Sequence, residues 1–399
     1  MAVLVLVVIL ASLGAAVIAQ GSSHSIRVEL NEDSIQDLAL CELGVGRATY
    51  EIGRGEDTDE EEGVGNVRFT RGQEEVLVRA NPLARRHVRL LARATSPGSS
   101  RAIEVTLHAT PTTVFSQALA GQDDVTVGGG FVTDSYDSDE GSYLSQLVNA
   151  DENGSYANAF GSVSSNGTLS VEGSSTSIRG SASAGPGQEL TTTGSPSITG
   201  STESLSQPLD FPFPPIEEFM EALLDNRNGT WAPTAGVSYN PVTYSLSVAA
   251  HTTLSLPPGT YFFTSLSIAG HSRLEIQGET RIYLTGGLNA TGGTITNLTE
   301  RARDLAIIAH PYRIPVTHVP PDPMVLSLSG SASTALTVYA PACDVNIAGG
   351  SDLFGAVVGR TIDARGAMFH YDESLGYEEG IDFQPHAQVA WREVGRPVE

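Results

Sequence analysis

The chain has 399 residues, room for about two or three domains, and its 46 acidic against 22 basic side chains give a formal charge of −24. Lysine does not occur, so every basic side chain other than histidine is arginine, and a body this acidic repels phosphate backbones, which argues against nucleic acid as a partner. With 42 Gly, 21 Pro and a hydrophobic fraction of 40%, the composition points to a folded, turn-rich chain and not to disorder.

Two cysteines, Cys41 and Cys343, are too few for a disulfide framework or a zinc site, and two unpaired, partly buried thiols are expected. Met1 to Ala19 read MAVLVLVVILASLGAAVIA with no charged side chain, long enough to cross a bilayer as a helix. A secretory signal peptide would explain the small residue Ala19, but the basic segment that should open one is missing. The competing reading is a retained helix. Val3, Leu6, Ile9, Leu13 and Val17 lie in the apolar run, and Val28, Ile35, Leu38, Val45 and Ile52 then recur at helical spacing until Gly53 and Gly55. One continuous helix of roughly 50 residues, about 75 Å long, is the expectation.

That shape resembles the N-terminal helix of type IV pilins and type II secretion pseudopilins. The run LALCELGVGRATYEI (Leu38 to Ile52) is similar to the segment following the membrane span in their minor, PilX-like members. Two features depart from the pattern: no short basic leader ending in Gly precedes the apolar run, and no Glu stands near the fifth position. The resemblance implies a single pass through the bacterial inner membrane, a body exported to the periplasm or cell surface, and other pilin or pseudopilin subunits as partners.

Beyond the acidic loop Glu56 to Glu62, short runs alternate with period two: Val67/Phe69, Val76/Val78, Val88/Leu90 and Ile103/Val105/Leu107. Half-buried strands are expected there. Between Asp123 and Ser206, Ser, Gly and Thr dominate, but GSSTSIRGS (Gly173 to Ser181) returns as GSPSITGS (Gly194 to Ser201), a repeat that suits stacked coils. Pro208 to Pro215 marks a boundary, and Ile216 to Leu224 reads as a short amphipathic helix. From Thr243 onward Leu254/Leu256, Tyr261/Phe263, Leu266/Ile268, Leu274/Ile276 and Ile282/Leu284 continue the strand pattern between glycines. DSYDSDEGSY, LPPGTYFF, IYLTGGL, VYAPACDV, LFGAVVGRTI and FHYDESL resemble, in order and spacing, a domain of unassigned function attached to pilin-like helices in bacterial surface proteins.

The expected architecture is therefore mainly β, with a long N-terminal α-helix (1–53) and a small antiparallel β region (64–122). A Ser/Gly-rich β-repeat segment (123–206), a Pro-rich boundary with a short helix (207–242), a parallel β-helix or solenoid-like body (243–376) and a C-terminal extension (377–399) would follow. No catalytic or cofactor site is expected. Asp134, Asp137, Asp139 and Glu140 place four carboxylates within seven residues, either a solvated acidic turn or a Ca²⁺ turn. His370 and Asp372 alternate onto one face after the last strand, as a cap on the solenoid or as a base. The leading function is a pilin-like minor subunit displaying its β body. A carbohydrate-binding adhesin contacting surface glycans and a polysaccharide-active β-helix enzyme are the alternatives.

Overall fold

The computed structural model describes residues 35–53, 57–58, 63–84, 87–97, 99–109, 113–232, 234–315, 317–329, 333–350, 352–377 and 386–394. They fall in two compact units, Met1–Thr110 with Glu379–Glu399, and Pro111–Glu378.

In the first unit, residues 35–53 form helix α1, about 28 Å long. Cys41, Val45, Ala48 and Ile52 recur three or four residues apart and, with Leu40 beside Cys41, share one face; all are buried. That face covers an antiparallel sheet of five strands in the order Val67–Arg71, Glu74–Ala84, His87–Thr95, Ser100–Ala109 and His386–Val394. Val67, Val76, Val78, Leu90, Ile103, Val105 and Leu107 alternate onto the side facing the helix and close the core. Burial of each such aliphatic side chain stabilises by about 1.5–3 kcal/mol. Close approach depends on Gly44, where a Cβ would lie 2.8 Å from Val78 Cγ2 and 3.0 Å from Val76 Cγ1. The buried Glu51 carboxylate is satisfied locally, accepting from the backbone of Gly65 at 3.2 Å and of Thr58 at 3.3 Å.

The second unit is built from parallel strands stacked in three rows. In the first row, Ser245–Val248 is followed in register by Ser265–Ile268, Leu288–Thr291, Val325–Ser329, the second halves of Thr334–Ala348 and Asp352–Arg365, then Leu119–Gly128, Thr168–Glu172 and Leu190–Thr193. Every second side chain points inward. Leu246, Leu266, Leu288, Leu326, Val345, Ile362, Val125, Leu169 and Leu190 therefore form one aliphatic column, each directly above the last. The Ser/Gly-rich segment thus stacks on the chain's last strands through Leu119–Gly128 and Asp352–Arg365. After Leu205 the chain returns along the stack through its prolines and helix α2 (Ile216–Leu224). Phe219 and Ala222 of α2 are buried with Phe262, Tyr283 and Ile314.

Two expectations are corrected. No long N-terminal helix occurs among the described residues: α1 spans 35–53, and Met1–Ala19 with Val3, Leu6, Ile9, Leu13, Val17 and Val28 lies outside them. Nor do the sheets make a clear solenoid, the parallel β-helix or solenoid-like body expected for 243–376. Nineteen strands merge into one sheet, because Thr334–Ala348 and Asp352–Arg365 run on around a corner through register shifts. Chain order is also broken, since residues 119–198 pile onto the end of a stack that begins at 245. Among the described residues the fold is mainly β with two short α-helices. Among the described residues no helix is long and apolar enough to cross a membrane, which overturns the single-pass inner-membrane placement.

The two thiols lie in different units, Cys41 Sγ against Arg101 O at 3.4 Å and Cys343 Sγ against Ala309 O at 3.7 Å. Both are free and buried, and burial pushes their pKa values up to about 11 and about 12. Gly44→Leu should force α1 away from its sheet and lower the stability of the first unit by about 1–3 kcal/mol. Urea denaturation of the full chain checks this, and an unchanged midpoint would refute the close-packing role.

Candidate functional site

The densest group of buried ionisable side chains sits where strand Val132–Tyr136 pairs in parallel with strand Met368–Asp372. The register sets His370 beside Asp134 and Asp372 beside Tyr136. His370 Nδ1 and Asp134 Oδ1 are 2.5 Å apart, and the Tyr143 hydroxyl donates to Asp134 Oδ2 at 2.6 Å. Asp134 is 1% exposed and His370 7%. The imidazole packs against two rings, its centroid 4.1 Å from that of Tyr143 and 4.6 Å from that of Phe354. Burial, then the bond to Asp134, raises the Tyr143 hydroxyl far above its ordinary pKa, so it remains a donor.

Arg179 extends the group. Its guanidinium binds Asp151 in a two-pronged contact of 2.8 and 2.7 Å, lies 3.9 Å from Asp134 and covers the Tyr156 ring at 4.5 Å. Tyr143, Asp151 and Tyr156 belong to an excursion between residues 137 and 160 that leaves the strands and returns to them. Its polar contacts fasten it over strands Val132–Tyr136 and Met368–Asp372. Glu373 Oε1 contributes by accepting from Ser135 Oγ at 2.9 Å and Asn158 Nδ2 at 2.8 Å.

Asp372 turns away from His370. Its Oδ1 accepts from the backbone N–H groups of Ser138 at 3.0 Å and Ser374 at 3.1 Å, whereas Oδ2 is buried without a partner. Burial raises this carboxyl above the ordinary Asp range. His370 and Asp372 also lie inside the stack, since Met368–Asp372 is flanked by Asp352–Arg365 on one edge and Val132–Tyr136 on the other. The four acids considered for Ca²⁺ are dispersed. Asp134 meets His370, Asp137 Oδ1 accepts from the Asp139 N–H at 3.0 Å, and Asp139 faces Arg301 and Arg303 at 3.7 and 3.5 Å. Glu140 N–H donates to Asp137 O in the same turn. Among the described residues no three His, Cys, Asp or Glu side chains come together as ligands of one cation.

On α1, the other residues singled out from the sequence divide. Val45 and Ile52 are buried and Leu38 is partly buried against the sheet, whereas Ile35 is 62% exposed. Sequence reasoning missed Arg179, although a signal was present: Arg179 stands where the second copy of the repeat has Thr199. The Asp134–His370 contact spans 236 positions and had no local signal.

A family model described as "Domain of unknown function (DUF7305)" matches residues 216–378, less than half of the chain. No curated protein matches. The competence-associated pilin ComZ from Thermus thermophilus aligns at 9% identity and a TM-score of 0.31, over 90% of this chain and 97% of that one. The DUF3494 domain of a Shewanella frigidimarina ice-binding protein aligns at 14% identity and a TM-score of 0.28, over 66% of this chain and 99% of that one. At these TM-scores neither likeness establishes a shared fold.

Because the folded state holds the Asp372 proton more tightly than the unfolded chain, this group's contribution is full below the unfolded pKa. It is lost as pH rises through the raised folded value. Asp372→Asn keeps the Oδ1 acceptor and removes the buried charge. The variant should be more stable than the parent at pH 7 by about 1–2 kcal/mol and level with it near pH 3. Denaturation curves from pH 3 to 7 that stay parallel would contradict this account.

Proposed function

We propose that the chain is a pilin-like subunit of a type IV pilus or related filament, with its parallel-strand body displayed for contacts with surfaces or neighbouring subunits. The observation that carries this reading is the free side of α1. One face is committed to the sheet, and the opposite face presents Ile35, Ala39, Leu43 and Gly46, with Ile35 62% and Leu43 54% exposed. A Cβ on Gly46 would meet nothing within 4 Å, so nothing among the described residues of its unit requires glycine there. Glycine inside a helix costs about 1 kcal/mol relative to alanine. A small residue between exposed aliphatics suits close packing of a second helix. The buried ionisable group around Asp134 is internally bonded beneath aromatic rings, which supports a role in display and binding over turnover.

A specific feature favours glycans as a contact of that body. Ser247, Ser267, Asn289, Ser327, Asn346, Asp363, Thr126, Ser170 and Thr191 form an outward column in the first row, one polar side chain per strand. At about 4.8 Å per strand the column is roughly 38 Å long. Its charges are paired on the same face, Asp344 with Arg360 at 2.7 Å, and Arg365 with Asp363 at 2.8 Å and Glu172 at 2.9 Å. A ladder of hydroxyls and amides at every level but that of Asp363 suits a polyhydroxyl chain.

Gly46→Leu should leave the melting temperature within a few degrees and abolish recovery of the chain in sheared filament fractions of producing cells. Equal recovery of variant and parent, or absence of the parent from those fractions, refutes the filament reading. Separately, Ser267→Arg with Asn346→Arg should weaken retention on neutral polysaccharide at least tenfold. Unchanged retention, or no retention of the parent, removes the glycan reading.

A further inference from the structure

The two ends of the stack in the second unit differ. At one end, strand Val237–Asn240 folds back antiparallel on Ser245–Val248, and Trp231 closes over Tyr239 and Tyr261 with ring centroids 5.4 and 6.2 Å away. A reversed strand and a buried aromatic plug terminate that end.

The other end has no such closure among the described residues. Leu190–Thr193 pairs with Thr168–Glu172, and Ser197–Ile198 with Ser177–Ile178, each on one edge only. The inward column through Val127 and Val171 shows the consequence. Both valines are fully buried, and the next member, Thr192, is exposed. Leu190 and Ile198 are left half-buried at the end of the main core.

An open strand edge is a template for further pairing, and proteins ordinarily guard one with charges, bulges or proline. Here the run Leu190 to Thr202 (LTTTGSPSITGST) holds no charged residue, in a chain with a formal charge of −24, and Pro196 lies between the strands and not within them. We propose that this end is a docking edge for a second copy of the chain, joined edge to edge about a two-fold axis. Two copies this acidic repel over most of their surfaces, and here they meet without opposing like charges. A two-fold axis sets Leu190–Thr193 antiparallel to its own counterpart, the self-complementary pairing that a symmetric dimer requires. It also covers the half-buried Leu190 and Ile198 of both copies. The proposal does not depend on the filament reading.

The backbone supplies a selective test. Thr193 O accepts from Gly173 N–H at 2.6 Å, so the alternation along the strand turns the Thr192 N–H outward, toward the open edge. Thr192→Pro removes that donor and leaves the inward ladder intact, as proline tolerates an edge strand. Sedimentation velocity of the full chain from about 1 to 100 µM should show a concentration-dependent dimer that Thr192→Pro weakens at least tenfold. Thr193→Glu, which adds acid against acid without touching the backbone, should weaken it similarly and respond to added salt. A parent chain that stays monomeric throughout, because its own residues or another partner cover the edge, overturns the proposal. So does a dimer that neither variant weakens.

Discussion

The second unit depends on in-register stacking, because a parallel strand can hide its apolar side chains only if the strands above and below place similar side chains at the same level. Nine strands meet that demand with the column from Leu246 to Leu190, and the core follows it for the length of the stack. The chain can satisfy it out of order. Residues 119–198 join a stack that starts at 245, since Val125 fits beside Ile362 as well as any sequential neighbour would. Pairing by likeness also leaves an end open unless something different closes it. Trp231 and a reversed strand do so at one end, and among the described residues nothing equivalent does at the other.

Charge is handled by local pairing. Arginine supplies every basic group apart from histidine, and its forked geometry suits two-pronged contacts such as Arg179 with Asp151. The buried group around Asp134 therefore reads as a fastening. His370, Tyr143 and Arg179 surround one carboxylate, and the excursion that carries Tyr143 and Asp151 is held by it. Asp372 in the second unit and Asp37 in the first depart from this, each with one carboxylate oxygen left unpartnered in the interior.

In the first unit the same economy of space acts through glycine. Gly44 lets α1 settle against Val76 and Val78, whereas Gly46, two residues on and on the opposite side, faces open space. One serves the fold, and the other is free to serve a contact outside it.

Much of the local structure was legible in the residues. Period-two alternation marked Val76/Val78 and Ile103/Val105/Leu107 as strands, IEEFMEALL as a short helix, and the Ser-Ile repeat as Ser177–Ile178, which lies in register on Ser197–Ile198. Such signals arise from neighbours a few residues apart, which a sequence displays directly. Which segments would be neighbours was a different matter. The pairing of His370 with Asp134, the stacking of the early Ser/Gly segment on the last strands, and the commitment of Val45 and Ile52 to their own sheet all depend on contacts between distant positions. Those contacts are chosen by shape and register among many similar apolar strands, and only the folded chain makes that choice.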